Sequence, residues 1–280
     1  MSDPLFAIKQ AIDFVEENLQ DEIVVADMAS AAGYSLFHFV RTFNKVVHHT
    51  PYDYLMRRRL SEAADALVSS DRRIIDIALE YCFHSSEVFS RAFKRMFGIQ
   101  PSQYRTGGFV DPRFAFSPKT LPYLQHINRG DFLAPALIQR DAVTVMGLMT
   151  RVAEGRQDIQ QLWDSPGMEI SNLAELSRYG ITTYPGDWVE KGAFYLAAVA
   201  MNATDIAGHT LVTRTFPAGD YAAFKHEGSL EDLAYTRDFI YQSWLPKSGR
   251  RLAYPLEIEC YGENKEDNTP NQVLISIESL

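Results

Sequence analysis

The sequence predicts two domains of different class. The first is an all-α N-terminal domain with two helix-turn-helix units joined by a long helix, and the second is an α+β C-terminal domain. Two observations support this prediction. The first hundred residues contain a repeat at an offset of 49 to 50 residues, with apolar positions at helical spacing. After residue 120 the pattern changes to short strands mixed with helices, as is typical of α+β domains.

The repeat matches each motif of the first unit to one of the second. The matched motifs are Ala29-x3-Gly33 with Ala78-x3-Cys82, Phe39-x-Arg41-x-Phe43 with Phe89-x-Arg91-x-Phe93, and Pro51-x2-Tyr54 with Pro101-x2-Tyr104. A helix, a tight turn and a second helix, repeated in this way, are typical of paired helix-turn-helix units. Two such units allow one chain to contact two major-groove segments, since successive groove faces lie about 34–36 Å apart.

Helical spacing and capping residues predict the helices of this domain in order. They are expected over residues 4–20, 25–31, 36–47, 51–69, 74–81 and 86–97. Gly33 supplies a left-handed turn in the first unit, and Gly98 ends the last of these helices. The residues expected to face the core from the second helix of each unit are Leu36, Phe39, Phe43 and Val46 or Val47 in the first unit, and Phe89, Ala92, Phe93 and Phe97 in the second.

Cys82 stands where the first unit has Gly33. A residue other than glycine in the left-handed conformation costs about 1–2 kcal/mol, so we expect a locally strained turn at this cysteine. The alternative interpretation is a redox switch, which requires an exposed thiol with a lowered pKa.

These motifs resemble the DNA-binding domain of the AraC/XylS family of bacterial transcription regulators over residues 8–105. The resemblance extends to Pro51-x2-Tyr54-x4-Arg59 and to Phe97-Gly98-x2-Pro101-x2-Tyr104-Arg105. It implies a sequence-specific DNA-binding protein in which the second helix of each unit reads bases. The implied DNA-binding residues are Phe37, Val40 and Arg41, with the outward-facing Lys45, in the first unit, and Ser86, Glu87, Ser90 and Arg91 in the second.

The residue types at these positions suit base recognition. Arg41 and Arg91 each offer a bidentate contact to guanine, and the apolar Phe37 and Val40 suit thymine methyl groups. Glu87 either accepts a hydrogen bond from cytosine or repels phosphate. The alternative is a plain helical bundle in which both arginines are solvated surface residues.

The charge distribution of the N-terminal domain is unusual for a DNA-binding domain. The whole chain has a net charge of −9, and residues 1–106 contain 12 Lys and Arg against 14 Asp and Glu. The positive residues are clustered, with runs at 57–59, 72–73 and 91–95. We therefore expect a polarised domain with one basic face, and a modest DNA affinity that depends strongly on salt.

The predicted domain boundaries follow from the change of pattern. Residues 1–106 form the helix-turn-helix domain, residues 107–120 a linker interrupted by glycine and proline, and residues 121–280 the α+β domain. In the last domain, helices are predicted over 158–163 and 230–244. Strands are predicted over 143–152, 181–184, 194–201, 210–216, 221–226, 256–261 and 273–277. The order suggests two β-α-β-β halves.

Three stretches of the C-terminal domain resemble the GyrI-like effector-binding domain. They are Phe216-Pro-Ala-Gly-x-Tyr221-Ala-x-Phe224-x-His226-x-Gly228, Thr236-x3-Ile240-Tyr-x2-Trp244-Leu-Pro-x-Ser-Gly249 and Pro255-x3-Glu259-x-Tyr261. The resemblance implies a groove between two halves that binds lipophilic, often cationic, small molecules. It implies Glu259 as the central acid, and the candidate groove aromatics are Trp188, Tyr195, Tyr221 and Tyr261, with Trp163 as a further candidate. The alternatives are core packing for each ring and a solvated strand face for Glu259.

Strand periodicity supports a cation site at the same place. Alternation along residues 256–261 puts Glu257, Glu259 and Tyr261 on one face of a strand. A carboxylate beside aromatic rings binds a cation through charge and cation–π contact. His226 has no cysteine or histidine partner at metal-binding spacing, so no metal and no cofactor are expected.

These observations predict a one-component transcription regulator. Its expected partners are double-stranded promoter DNA, a small-molecule effector and RNA polymerase, with no membrane. One alternative makes the C-terminal domain a hydrolase of small molecules with Glu259 as general base, although no Ser-His-Asp or Cys-His pattern supports catalytic residues. Another alternative is a module that recruits a protein partner.

The sequence also predicts a cytoplasmic location. Cys82 and Cys260 are the only cysteines, as expected in a reducing compartment. The N-terminus has no pattern of a secretory signal, and no apolar run approaches the roughly 20 residues of a membrane span.

Overall fold

The computed structural model describes residues 3–107, 112–130, 134–152, 159, 162–163, 177–185, 192–200, 211–262 and 269–279. The chain divides into two compact units. The first unit contains Met1–Arg129 together with Asp238–Trp244, and the second contains Gly130–Arg237 and Leu245–Leu280. This division differs from the predicted boundaries at 106 and 120.

The first unit is helical, as predicted. Its helices are α1 (Pro4–Glu17), α2 (Val25–Ala31), α3 (Leu36–Val47), α4 (Pro51–Ser69), α5 (Ile74–Glu80), α6 (Ser86–Phe97), α7 (Pro101–Arg105) and α8 (Leu121–Ile127). Helices α2, α3, α4 and α6 have the predicted bounds, whereas α1 ends earlier than residue 20. The sequence did not predict α8, which lies in the first unit because its side chains Tyr123, Leu124 and Ile127 are buried there.

Capping side chains and prolines explain where several helices begin. Proline occupies the first turn of α1, α4, α7 and α8, where its missing N–H leaves no donor unsatisfied. The side chains of Asp3, Thr50, Ser85 and Thr120 each accept a hydrogen bond from a first-turn backbone N–H. Ser35 precedes α3 in an extended conformation, but its side chain makes no capping bond.

Each helix-turn-helix unit contains two left-handed residues, of which one is a glycine. The turn residues are Gly33 at φ 69° and Cys82 at φ 61°, so the predicted left-handed turn at Cys82 is confirmed. The residues after α3 and α6 are His48 at φ 59° and Gly98 at φ 80°. The glycine therefore lies at the turn in the first unit and at the helix end in the second.

The environment of Cys82 does not support a redox switch. Its thiol lies 3.2 Å from the backbone oxygen of Gln20, to which it donates a hydrogen bond. Burial raises the pKa of this thiol; the charge of Arg59 opposes the rise, and nearby acidic side chains add to it. Since a reactive cysteine needs a lowered pKa, the structure favours the interpretation of Cys82 as a strained turn residue.

Buried aromatic rings form the core of both helix-turn-helix units. Phe39, Phe43, Phe89 and Phe93 are all fully buried, as predicted. The prediction for Leu36 is wrong, because half of this residue is exposed. Leu36 is the first residue of α3, where the helix has not yet reached the core.

The second unit contains an eight-stranded antiparallel sheet. Its strands are β1 (Ala136–Arg140), β2 (Val143–Val152), β3 (Arg178–Thr183), β4 (Ala193–Ala200), β5 (Val212–Phe216), β6 (Gly219–Lys225), β7 (Leu252–Tyr261) and β8 (Pro270–Ile277). Their order across the sheet is β1-β6-β8-β7-β3-β4-β2-β5. If β1–β4 are matched in turn to β5–β8, the order from one edge of the sheet is equivalent to the order from the other edge. The α+β class and the duplication are therefore confirmed. Each half begins with a strand at one edge of the sheet, β1 in the first half and β5 in the second. The edge strand β1 was not predicted.

The two faces of the sheet carry different side chains. One face holds an apolar cluster that includes Ile181, Leu196, Tyr221 and Ile258. The residues that alternate with these on β4 and β7 point to the opposite face, and they include Tyr195, Glu257, Glu259 and Tyr261. The candidate acids therefore lie on a face separate from the main apolar cluster.

The predicted helix over 230–244 is a run of three helical segments. It begins as α9 (Leu233–Asp238), continues as a π-helix at Phe239–Trp244 and ends as α10 (Leu245–Ser248). Residues up to Arg237 belong to the second unit, whereas Asp238–Trp244 belong to the first. Among the described residues, no helix has both the length and the apolar character needed to cross a lipid bilayer.

Candidate DNA interface and small-molecule site

The outer surface of α3 carries all the candidate base-reading residues of the first unit. Phe37 is 81% exposed, Val40 is exposed, and Arg41 and Lys45 lie on the same outward-facing side. The opposite side of α3 faces the core and carries the buried side chains of Phe39 and Phe43. The helix therefore presents a large apolar ring beside two cations, a combination that suits thymine methyl groups and phosphates or guanines.

Helix α6 presents a different set of side chains in the second unit. Glu87 and Arg91 are exposed, whereas Ser86 and Ser90 are half-buried. A hydrogen bond with Ser85 and one from its own backbone N–H lower the pKa of Glu87, and the charge of Arg91 contributes less. Glu87 therefore remains ionised at the helix N-terminus, where a carboxylate is favoured by the helix dipole.

The expected basic run at 57–59 does not supply a DNA-binding face, which corrects that interpretation. Arg58 is buried and pairs with Glu16 and Glu62, while Arg59 is buried and donates to the backbone oxygens of Leu19 and Asp21. These side chains hold helix α4 against the N-terminal helix. Exposed positive charge on the recognition helices comes instead from Arg41, Lys45, Arg91, Lys94 and Arg95.

The candidate central acid of the second unit lies in a buried polar cluster. Glu259 on β7 is fully buried, and its Oε2 accepts hydrogen bonds from the hydroxyls of Tyr195, at 3.0 Å, and Tyr261, at 2.7 Å. Burial raises the pKa of the Tyr261 hydroxyl, and the charge of Glu259 raises it further, so the phenol stays protonated. The structure brings together three of the five predicted ligand-binding residues.

An arginine that the sequence did not single out completes this cluster. The guanidinium of Arg237 donates from Nη2 to Oε1 of Glu259 at 2.6 Å and from Nε to Oε1 of Glu257. Burial opposes the charge of Arg237, but the charges of Glu257 and Glu259 outweigh this effect and raise its pKa. The signal available in the sequence was an arginine within an amphipathic helix, on the side that carries its apolar residues.

Glu257 contributes a second buried carboxylate on the same face. It is fully buried, and its Oε1 accepts from Arg237. Its Oε2 is buried and has no hydrogen-bond partner within the described residues. The cluster therefore has two acidic side chains, one basic side chain and one unused acceptor.

Aromatic rings and a second arginine border the cluster. Trp163 donates from its indole N–H to the Tyr195 hydroxyl at 3.3 Å, and its ring centre lies 4.9 Å from that of Tyr261. The guanidinium carbon of Arg178 lies 5.5 Å from the Tyr261 ring centre and 5.8 Å from that of Trp163. The same rings that suit a cationic ligand thus already contact one cation of the chain.

Three other candidates of the sequence lie elsewhere. Tyr221 belongs to the apolar cluster on the opposite face and donates to the backbone oxygen of Pro217 at 2.8 Å. Trp188 lies outside the described residues. His226 has both ring nitrogens within 3.0 Å of oxygens of Thr236 and Ser229. The described part of the chain has no group of three or more His, Cys, Asp or Glu that could hold a metal ion.

Two family models match the chain, one for each kind of domain. The helix-turn-helix domain model matches residues 28–107, and the GyrI-like small molecule binding domain model matches residues 134–277. The second match covers half of the chain.

Known proteins resemble the chain over different lengths. Transcriptional regulator Rob of Salmonella typhimurium is 26% identical over 275 residues, which cover 94% of this chain and 92% of that protein. Right origin-binding protein of Escherichia coli is 28% identical over 233 residues, covering 79% of this chain and 78% of that protein. The uncharacterized HTH-type transcriptional regulator YbfP of Bacillus subtilis is 43% identical over 100 residues, covering 36% of this chain and 34% of that protein.

The fold and the matches define a class in which a double helix-turn-helix domain and a small-molecule binding domain share one chain. The protein belongs to the family with a GyrI-like small-molecule binding domain, joined here to an AraC-type DNA-binding domain in the Rob-like order. It is a DNA-binding transcription regulator.

Proposed function

We propose that the protein regulates transcription in response to a small lipophilic cation that binds at the Glu259 cluster. The observation that carries this proposal is a fully buried glutamate hydrogen-bonded to two tyrosines, with a second buried glutamate on the same strand face. Buried ionised carboxylates are costly unless they are compensated by opposite charge. Among the described residues, Arg237 forms ion pairs with both glutamates, and a cationic ligand would add positive charge beside these two buried carboxylates.

The aromatic rings around the cluster favour a ligand with flat apolar groups. Tyr195, Tyr261 and Trp163 form adjoining ring surfaces beside the carboxylate of Glu259. Aromatic faces attract cations and also bury apolar ligand surface, so a hydrophobic cation gains from both effects. This combination discriminates against small hydrated ions such as potassium.

On the DNA side, we propose that Arg41 and Arg91 read bases in two successive major-groove segments. Phe37, Val40, Lys45, Ser86, Glu87 and Ser90 supply the remaining contacts. RNA polymerase is the protein partner in this proposal, and the cytoplasm, where chromosomal DNA is accessible, is the location.

Titration of the full chain with tetraphenylphosphonium tests the ligand proposal. This aromatic monocation has an anionic counterpart of the same size and shape, tetraphenylborate, which serves as a matched control. We expect saturable binding of the cation by calorimetry and at least tenfold weaker binding of the anion. In Glu259→Gln the cation should bind at least tenfold more weakly, while affinity for DNA selected from a random pool is retained. Equal binding of both ions, or full binding by Glu259→Gln, would contradict the proposal.

A further inference from the structure

We infer that the ligand of the Glu259 cluster is a lipophilic amine in its protonated form, and that its N–H group donates a hydrogen bond to the carboxylate of Glu257. This ligand class is a subset of the lipophilic cations in the proposed function, on which the inference rests. It contains ammonium ions that carry hydrogen on the nitrogen and leaves out quaternary ions, which have the same charge but no hydrogen-bond donor.

The carboxylate of Glu257 has one oxygen in use and one without a donor. Its Oε1 accepts a hydrogen bond from Nε of Arg237, and the residue is fully buried. Its Oε2 is also buried and has no hydrogen-bond partner within the described residues. An ionised carboxylate only accepts hydrogen bonds, and a buried acceptor without a donor is costly because it has lost its hydration. A donor carried by a ligand therefore fits at this oxygen.

The hydrogen bonds of Arg237 go to other atoms of the cluster. Its Nε donates to Oε1 of Glu257, and its Nη2 donates to Oε1 of Glu259 at 2.6 Å. This arginine supports both carboxylates and still leaves Oε2 of Glu257 without a donor. Because charged donors bind a carboxylate more strongly than neutral ones, an ammonium N–H suits this oxygen better than a hydroxyl group.

The position at Glu257 is close to the aromatic rings of the site. Glu257 and Glu259 are two residues apart on one face of β7, so their Cα atoms lie about 7 Å apart. Tyr195 and Tyr261 donate hydrogen bonds to Glu259, and the ring of Trp163 adjoins that of Tyr261. An ammonium ion at Glu257 can therefore place an alkyl or aryl group along these rings.

The cluster also has contact with the surface. The side chain of Arg237, which contacts both carboxylates, is 21% exposed, and Trp163 is half-buried. A ligand that enters beside these two side chains has a route to the carboxylates that leaves the strands of the sheet paired.

Two ions that differ by one methyl group test the inference in the full chain. Protonated N,N-dimethyldecylamine carries one N–H group, and decyltrimethylammonium has a methyl group in its place. Both are monocations at neutral pH with the same alkyl chain. Calorimetric titration below the concentrations at which they form micelles should show at least tenfold tighter binding of the protonated amine.

The outcome of this comparison separates the inference from the proposed function. Equal or weaker binding of the amine, with tetraphenylphosphonium still bound, would overturn the inference and leave the proposed function intact. Failure of all three cations to bind would overturn the proposed function and the inference together. The comparison uses the unmodified protein, so it does not depend on the folding of any variant.

Glu257→Gln separates the hydrogen bond from the size of the extra methyl group. With the amide oxygen held by Arg237, the amide nitrogen takes the position of Oε2 and cannot accept a hydrogen bond from the ligand. Both ions should bind more weakly because a negative charge is lost, but the preference for the amine should fall below twofold. Glu259→Gln, the matched variant, removes the same charge and should weaken both ions while it retains the preference. A preference that persists in Glu257→Gln, or that is lost equally in Glu259→Gln, would overturn the assignment to Glu257.

Discussion

Gly180 on β3 lies directly opposite Glu259 on β7, and its missing side chain leaves the space that the acid cluster occupies. A Cβ atom at Gly180 would lie 2.1 Å from the Tyr195 hydroxyl oxygen and 2.6 Å from Oε2 of Glu259. Both distances are far below van der Waals contact. The hydrogen bond between Tyr195 and Glu259 is therefore possible only because position 180 has no side chain.

Gly180→Ala should separate Tyr195 from Glu259. We expect tetraphenylphosphonium to bind at least tenfold more weakly, and the free energy of unfolding of the second unit to fall by about 1–3 kcal/mol, as for overpacked cores. Calorimetric titration and denaturant unfolding measure the two effects. Gly130→Ala is the matched control, because a Cβ there meets no atom within 4 Å. Equal effects of the two substitutions would show that the packing at Gly180 is irrelevant to the site.

Arg41→Ala and Arg91→Ala should each reduce affinity for selected DNA by about 1–3 kcal/mol and relax base preference in one half of the site only. The reason is the loss of a bidentate contact to a guanine edge from an exposed helix position. Fluorescence anisotropy with DNA substituted in either half measures both effects. Lys225→Ala removes the same charge from an exposed position on β6 and should change affinity little. A uniform loss across all DNA sequences would reassign the arginine to a phosphate contact.

The two left-handed turns predict opposite effects of two substitutions. Gly33→Ala introduces a side chain at φ 69° with no neighbour within 4 Å, so only backbone strain contributes, and stability should fall by about 1–2 kcal/mol. Cys82→Gly removes that strain. Glycine also increases the conformational entropy of the unfolded chain, which costs about 0.4–1 kcal/mol of stability, so the net free energy of unfolding should rise slightly. Chemical denaturation of both variants gives the comparison. A clear loss of stability in Cys82→Gly would mean that the thiol contact with Gln20 outweighs the strain.

The burial of Lys119 predicts that the free energy of unfolding rises at alkaline pH. Burial lowers the pKa of Lys119 from 10.5 to about 8, and the charge of Asp238 opposes this only in part. In the unfolded chain the lysine keeps its proton to higher pH, so between about pH 8 and 10 the unfolded state binds more protons and the native state gains stability. Below pH 8 both states are protonated and this contribution is constant.

Lys119→Met should abolish that rise without leaving a buried charge. The measured quantity is the difference in unfolding free energy between the unmodified protein and the variant from pH 7 to 10. This difference should change by up to roughly 3 kcal/mol between these pH values, with the unmodified protein gaining stability relative to the variant as the pH rises. Lys225→Met, at an exposed position, controls for the loss of a lysine and should show no such shift. A flat difference for Lys119→Met would place its pKa near that of an exposed lysine.

Local patterns in the sequence predicted helices α1–α6 of the first unit. The repeat predicted both turns, and apolar spacing predicted the four buried phenylalanines of the two second helices. The run Arg57–Arg59 misled because adjacent charges suggest a surface. Besides the nearby Glu62, Arg58 has partners at Glu16 and Phe116, which are far away in sequence. A long-range ion pair leaves no periodic signal.

The acid cluster was only partly predictable for the same reason. Strand alternation placed Glu257, Glu259 and Tyr261 on one face, as the structure confirms. The contributions of Arg237 and Gly180 depend on how a helix covers the sheet and on the register of β3 against β7, which no single segment encodes. Strand β1 escaped prediction because most of its residues are exposed at the sheet edge and do not alternate clearly.

The order of strands makes the two halves of the sheet depend on each other. Within the described strands, β1 of the first half pairs only with β6 of the second, and β5 of the second half pairs only with β2 of the first. The centre of the sheet is also a pair between halves, β3 with β7. A chain that contained one half alone would therefore have unpaired strand edges and an orphan strand, and it would need a second copy to complete the sheet.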